Sequence, residues 1–484
     1  MSDYVFWSAR RLANAIRVGE LSAAEACEAC IERIEQFDGI LNAVCVRLFD
    51  EARETARAAD AARAAGQWWG PLHGVPVTVK EAYDVAGTPT TWGLSERRNH
   101  EASEDADGIR RLREAGAIIL GKTNVPPNLM DWQTDNPVYG RTNNPWDPQR
   151  TPGGSSGGSA VAMAVGYAYL EAGSDIGGSV RNPAHFCGIA AHKPSFGIVT
   201  DTGHRLNDPE EPIDLLVCGP MARYAEDLAL AMEVLAGPEP RDAPAWRLEL
   251  PPPRHERLSD YRIAVIDEEP VCPISGAVKA AIAHTADVCE QAGASVERGV
   301  ALPFDSRSAH RTYLTLLRGA LAGAISKAQF DEELDLANRA RDDSSYRTLI
   351  ACAFVQRHRD WLITDAQRLS LRKAWSHFFS RYDALLCPIA PTPAWPHDSR
   401  DRYERTIDVD GTDISYFDQI HWAGVPILSY LPATTIPAQR SDEGLPIGVQ
   451  IIADYLQDHT ALGLARLIEA ETGGFPPPPA YAID

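Results

Sequence analysis

Two glycine-rich, serine-bearing turns and one lysine are the residues of this chain whose types and spacing suit chemistry. The first turn is Gly153-Gly154-Ser155-Ser156-Gly157-Gly158-Ser159, and the second is Gly173-Ser174-Asp175-Ile176-Gly177-Gly178-Ser179-Val180-Arg181. Gly177 and Gly178 remove side chains just before Ser179, so backbone N–H groups there can line a small cavity, as an oxyanion hole requires. Asp175 and Arg181 flank this turn with opposite charges and are placed to pin it. A serine nucleophile needs a base. Lys80 ends the Val75, Val77, Val79 alternation, on the strand face shared with Thr78. Lysine is scarce, at positions 80, 122, 193, 279, 327 and 373 against 40 arginines. A lysine at a strand end is ordinarily a solvated charge, and scarcity alone does not lift Lys80 out of that class.

Two other patterns compete and fail on physical grounds. Gly116-Ala117-Ile118-Ile119-Leu120-Gly121-Lys122-Thr123 fits the G-x-x-x-x-G-K-T pattern of a phosphate-binding loop. Such a loop must turn successive N–H groups inward and open a helix. Here the middle residues form an apolar strand, and Pro126 and Pro127 oppose a helix after Thr123. The first serine turn also matches the G-x-S-x-G nucleophile elbow of an α/β-hydrolase. That elbow follows a hydrophobic strand, whereas Trp146 to Pro152 is a polar, proline-bearing loop. None of the 13 histidines stands in a recognisable partner context. A flexible linker is the alternative, and the patterned segments on either side and the small-residue helix that begins at Ala160 favour a functional turn, since a helix N-terminus there presents free N–H groups.

The elements around these residues must bring them together. Ser179 follows Ser155 by 24 residues. A helix of about nine residues leads out ~13 Å, and a strand over Tyr167–Ala172 covers ~20 Å. Such a helix and return can deliver both serines to one place. Upstream, the first forty residues read as two helices, with Ser22 and Glu25 forming a capping box. A third helix spans about Asp50 to Ala65, and a fourth Ile109 to Ala115, before a short strand at Ala117–Leu120. Downstream, strands at Ile263–Ile266, Ala384–Cys387 and Ile447–Ile452 alternate with helices at Val278–Ala292 and Thr460–Glu469. This alternation predicts an α/β fold, a sheet covered by helices. Gly237 to His255 reads as a proline-rich surface connection (residues 237–255) and Pro476–Pro479 as a tail.

Composition excludes several function classes. The 484 residues carry 46 basic and 67 acidic side chains, a net charge of −21. That balance argues against nucleic acid and against anionic membranes. No window approaches the ~18 apolar residues of a membrane span. Nine cysteines, an odd number, do not read as a disulfide framework, and Cys27 and Cys30 lie in a helical stretch as small buried residues. A cytoplasmic enzyme without metal or other cofactor is the expectation.

Together these segments resemble the amidase signature family. Leu72 to Lys80 is similar to the family's lysine-bearing strand. Gly121-Lys122-Thr123-Asn124, Asn143-Asn144-Pro145-Trp146, Gly153 to Ser159, Gly173 to Pro183, Phe186-Cys187-Gly188 and Lys193-Pro194 follow in the family's order. The specific core covers residues 70–200. The N-terminal helices and Pro446-Ile447-Gly448-Val449-Gln450 extend a weaker likeness, so residues 1–484 are expected to form a single amidase signature domain. The implied fold is a central mixed β-sheet covered by helices on both faces. The implied catalytic set is Ser179 as nucleophile, Ser155 as a proton relay with a cis peptide bond, and Lys80 as base. Ile176, Gly177, Gly178 and Ser179 would supply the oxyanion hole. Ser156, Asp175 and Arg181 match positions that brace the site, and Leu129, Met130, Asp131 and Trp132 match the segment lining the substrate pocket. Two positions depart from the pattern: Glu81 stands where Asp is usual, and His185 where a small or apolar residue is usual.

The resemblance implies hydrolysis of a linear carboxylic amide, either small or aryl (an anilide included), to a carboxylate and ammonia or an amine through an acyl-enzyme. Lys80 must be neutral to act, and burial lowers a lysine from its ordinary ~10.4. The partner is a small-molecule amide, and a homodimer is left open. Two alternatives are the amidase subunit of a tRNA-dependent amidotransferase and a non-catalytic binding protein of the same fold. Amidotransferase subunits usually carry a Ser-Leu-Asp-Gln-type segment before Gly-Pro, where this chain has Asp214 to Pro220. A binding protein should have lost a member of the triad, and none is lost.

Overall fold

The computed structural model describes residues 3–206, 212–340, 343 and 345–483. The alternating pattern folds into one eleven-stranded mixed sheet. In spatial order its strands are Val44–Arg47, Ile118–Thr123, Pro76–Lys80, Leu170–Asp175, Val217–Ala222, Ala190–Lys193, Ala433–Arg440, Pro446–Ile452, Ala384–Cys387, Arg262–Val265 and Ser295–Arg298. Helices cover both faces, giving two large apolar clusters. Strand Pro76–Lys80 lies between two parallel neighbours, Ile118–Thr123 and Leu170–Asp175. All five of its residues are buried, as expected of a parallel strand with both faces covered. Lys80 is therefore carried into the interior at the end of a central strand.

The segment Gly116–Thr123 is a strand over Ile118–Thr123, every residue of it buried, and opens no helix. Cys27 and Cys30 are buried on helix Ala23–Leu41, and the nine cysteines are free. The return strand lies three residues later than the sequence pattern predicts, at Leu170–Asp175. Tyr167 is instead held at the helix exit, its N–H bonded to the Ala162 carbonyl at 2.9 Å. The later register pairs Val79 with Ala172, which carries Ser174 and Asp175 toward the Lys80 end. The C-terminal prolines are not a free tail. Tyr481 is buried, its carbonyl accepts from Arg33 at 2.7 Å, and its ring meets Phe37 edge-on.

A third apolar cluster sits over one end of the sheet. Helices Ser306–Leu321, Tyr346–Phe354 and Ile420–Ile427, with the hairpin Thr406–Val409 and Thr412–Ser415, gather Tyr313, Leu316, Phe354, Tyr416, Phe417 and Ile420 against Trp132. The sequence pattern assigns nothing to these segments, because their apolar residues come from pieces far apart in the chain. No helix among the described residues is long and apolar enough to cross a membrane.

Candidate active site

Lys80 reaches from its strand end into a cluster of hydroxyl groups. Its Nζ donates to Ser155 Oγ at 2.7 Å and to Ser174 Oγ at 2.9 Å. The side chain is fully buried and has no ion pair with a carboxylate among the described residues. Burial disfavours the ammonium and pushes the lysine down to about 7, against the opposing charges of Asp175 and Glu171. Glu171 is itself buried, held by Thr78, Ser159 and Thr123, and burial raises its carboxyl to about 8.

The serine turn is shaped by close packing. Gly153 has φ +87°, and a Cβ there would lie 2.7 Å from Pro183 Cα. A Cβ on Gly154 would lie 2.5 Å from the Asp131 carbonyl oxygen. The Gly154–Ser155 peptide bond is cis, and helix Gly157–Ala164 begins at once afterwards. The Ser156 N–H donates to the Ser179 carbonyl at 3.1 Å, so the two serine turns are tied directly together. Ser156 thus braces through its backbone. Its buried hydroxyl has no hydrogen-bond partner among the described residues.

Asp175 organises the second turn. Its carboxylate accepts from Arg181 Nε and a terminal nitrogen, both at 3.0 Å, and from the N–H groups of Gly178 (2.8 Å) and Val180 (3.2 Å). Burial alone would raise this carboxyl, yet Arg181 and the Gly178 N–H hold it below its usual value. Arg181 also donates to Gln450 Oε1 and the Ala423 carbonyl. The expectation of four oxyanion donors needs correction here. The Gly178 N–H is taken by Asp175, leaving those of Ile176, Gly177 and Ser179 without a protein acceptor among the described residues. From the other side, Tyr313 donates its hydroxyl to the Ile176 carbonyl at 2.7 Å, and Trp132 its indole N–H to the Gly177 carbonyl at 2.9 Å.

Ser179 opens onto a cavity. Leu129, Met130, Asp131 and Trp132 line it, together with Ile176 and Gly177. The rest of its lining, Leu317, Arg318, Leu321, Arg402, Tyr416, Phe417 and Ile420, comes from the region of about 300–440, where sequence reasoning placed part of the pocket without naming a residue. Sequence reasoning missed Ser174. Only the strand register reveals that hydroxyl, by pairing Val79 with Ala172. The Asp131 carboxylate does not present a free charge. It is bound by Arg405 at 2.7 Å, the Tyr416 hydroxyl at 2.6 Å and the Trp132 N–H at 2.8 Å. No group of three or more His, Cys, Asp or Glu among the described residues could hold a metal ion.

The family description "Amidase" matches residues 25–462. The chain belongs to the amidase signature family. It is 34% identical over 473 residues to the indoleacetamide hydrolase of Bradyrhizobium diazoefficiens, covering 96% of this chain and 87% of that one. It is 32% identical over 495 residues to a glutamyl-tRNA(Gln) amidotransferase subunit of Moorella thermoacetica, covering 97% of each. Among solved structures it resembles a bacterial aryl acylamidase of the amidase signature family, with a TM-score of 0.82, 25% identity and 97% of each chain covered.

Both departures from the amidase signature pattern turn out to be structural. Glu81 accepts from the N–H groups of Thr91 and Trp92 and from the Tyr139 hydroxyl, fastening the loop after the lysine strand. His185 is buried, accepts from the Gly448 N–H at 2.8 Å and reaches the Thr392 carbonyl at 3.0 Å. Burial lowers its pKa, and the residue is not among those lining the cavity. Lys122 and Lys193, the other two lysines of the 70–200 core, donate to the carbonyls of Pro89 and Pro194.

Proposed function

We propose that this protein hydrolyses a small or aryl carboxylic amide to a carboxylate and ammonia or an amine, through an acyl-enzyme on Ser179. The observation that carries this is the buried Lys80, without a carboxylate partner among the described residues, 2.7 Å from Ser155 Oγ. A lysine at about 7 is substantially neutral at neutral pH and can act as a base. Neutral Lys80 takes a proton from Ser155, which takes one from Ser179. Ser179 Oγ bonds to the amide carbon, and the negative oxygen is held by the N–H groups of Ile176, Gly177 and Ser179. The relay returns the proton to the departing nitrogen as the C–N bond breaks. Water then attacks the acyl-enzyme by the same relay and frees Ser179. Ser174, the second hydroxyl to which Nζ donates, helps to hold the lysine beside Ser155. Likeness to an indoleacetamide hydrolase and an aryl acylamidase supports a small aryl amide among the substrates.

The test is ammonia or amine release from aliphatic amides, aryl amides and anilides, with Ser179→Ala alongside. Loss of about 10³-fold or more is expected in the variant; full activity in Ser179→Ala overturns the nucleophile assignment. A second reading, the amidase subunit of an amidotransferase, is favoured by likeness to such subunits. Turnover of a free amide by the purified chain, with no other protein present, decides against it. Absence of turnover with any amide would favour that subunit role or a binding protein.

A further inference from the structure

The cavity that Ser179 lines also holds a charge that no ion pair among the described residues neutralises. Arg318 lies on helix Ser306–Leu321 and is only 5% exposed. It lines the same cavity as Ser179, its Nε is buried with no hydrogen-bond partner, and its guanidinium forms no ion pair among the described residues. Its one directed contact is with the Phe354 ring, 5.8 Å from the centroid, a cation–π arrangement that holds the plane without neutralising it. A buried guanidinium with no acceptor is costly to keep. Burial, with the charge of Arg402, pushes it down to about 10.

The neighbouring charges do not supply a counterion. Arg402 lines the cavity too, and donates to the Met130 carbonyl at 3.0 Å rather than to an acid. Asp131, the one acid among the described lining residues, is consumed by Arg405 and Tyr416. Glu333, whose field reaches Arg318, is paired with Arg347. Two guanidiniums therefore face a cavity whose single carboxylate is already matched. The remaining lining is apolar or aromatic, from Leu129, Leu317, Leu321, Trp132, Phe417 and Ile420. The space is compact, about 50 Å³, where one water needs roughly 10–15 Å³.

On the footing of the amidase chemistry above, we propose that the substrate is an amide that also carries a carboxylate, bound by Arg318 at the far wall of the cavity while its amide carbonyl lies on Ser179. The guanidinium fork suits a planar carboxylate, which it can grip with two parallel hydrogen bonds. The apolar lining between the two ends suits a short hydrocarbon or aryl spacer.

The experiment compares matched amides. Monoamides of straight-chain dicarboxylic acids are set against alkyl amides of the same length, and anilides with a carboxylate on the aniline ring against unsubstituted anilides. Wild type, Arg318→Lys and Arg318→Met are assayed for kcat/KM, with melting temperatures recorded. The wild type should favour the anionic member of one pair by at least about tenfold, since a charge-assisted hydrogen bond contributes ~1.5–3 kcal/mol. The pair that shows the preference tells whether the carboxylate sits on the acyl or the amine half. Arg318→Met should abolish the preference and Arg318→Lys should keep part of it, with no fall in melting temperature for either. Turnover of neutral and anionic amides at equal kcat/KM in the wild type overturns this inference and leaves the amidase reading standing. If no amide is turned over at all, the amidase reading fails, and calorimetry on Ser179→Ala still decides the carboxylate site. Glutarate or adipate should bind at least tenfold more weakly once Arg318→Met is added, and equal binding overturns the proposal.

Discussion

The floor of the active site and the wall that closes over it are built on opposite principles. The floor, from the strands Pro76–Lys80 and Leu170–Asp175 and the two serine turns, buries charged and polar groups and matches almost all of them. Asp175 alone accepts four hydrogen bonds, and Lys80 is set between two hydroxyls. The wall, from helices Ser306–Leu321 and Ile420–Ile427 and the hairpin segment near Tyr416, is apolar and aromatic and leaves the Arg318 guanidinium without an ion pair, and its Nε without a hydrogen bond, among the described residues. A fully matched polar floor allows a single geometry, as a proton relay needs. An unmatched charge in the wall is a position left for the ligand to complete. The reaction is thereby assigned to one region and the choice of substrate to the other.

The most forceful way to break this contrast is to unmatch the floor. Asp175→Asn removes the counter-charge of Arg181 while keeping the shape. Arg181 is then a buried charge without an acid, so a loss of about 3–5 kcal/mol in unfolding free energy is expected. Urea unfolding measures it directly. Arg318→Met, in the wall, should cost nothing comparable, because no counter-charge is left behind. A loss below about 1 kcal/mol for Asp175→Asn would show that the floor is not held by its ion pair.

Next in size is the pH response of Lys80. Its value in the folded chain, about 7, lies below the ordinary lysine value. The base is the neutral form, so kcat/KM should fall about tenfold per pH unit below 7 and level off above it. Lys193 is also pushed down to about 7 by burial and by Arg181, but it donates to the Pro194 carbonyl instead of a hydroxyl. The limb should therefore persist in Lys193→Gln. Stability carries the same signature. Below pH 7 both folded and unfolded chains hold the proton, and burying the ammonium costs its full amount. Between about 7 and ~10.4 only the unfolded chain holds it, so that cost fades as pH rises. Lys80→Met should accordingly be more stable than wild type at pH 7, by a margin that closes toward pH 10.4. A flat activity profile from pH 5 to 9, with chemistry rate-limiting, would remove Lys80 as the base.

The two regions also differ in how far the sequence disclosed them. The floor is written in contiguous turns. Glycines before Ser179, a serine pair after Gly154 and a lysine closing a β-branched alternation are local signals, and they lie together in the folded chain. The wall is assembled from Leu317 and Arg318 on one side and from Arg402 and Tyr416 to Ile420 on the other, segments more than eighty residues apart with no shared period. Nothing local marks them as neighbours. Even on the floor, two details depended on tertiary structure. Ser174 meets Lys80 because of a strand register three residues later than the pattern suggests, and the Gly178 N–H is lost to Asp175 because Arg181 draws that carboxylate under the turn. The likeness to the amidase signature family supplied the triad and the Leu129–Trp132 lining. Arg318 lay outside both the motif and the periodic reading.

The smallest effect probes the seam between the regions. Tyr313 belongs to the wall, yet its hydroxyl donates to the Ile176 carbonyl at 2.7 Å, at the start of the turn that presents Ser179. Tyr313→Phe leaves the ring in place and strips that carbonyl of the hydroxyl. The expected loss in stability is ~0.5–1.5 kcal/mol. If the hydroxyl also aims the peptide planes of Ile176 and Gly177, kcat should drop a few-fold with KM nearly constant, since the oxyanion forms only during reaction. The acid limb near pH 7 should stay where it is, because Lys80 and its partners are untouched. A change confined to KM would instead place Tyr313 with Arg318 among the groups that hold the substrate. An unaltered kcat would mean that the floor keeps its geometry without help from the wall, and the division between the two would then be complete.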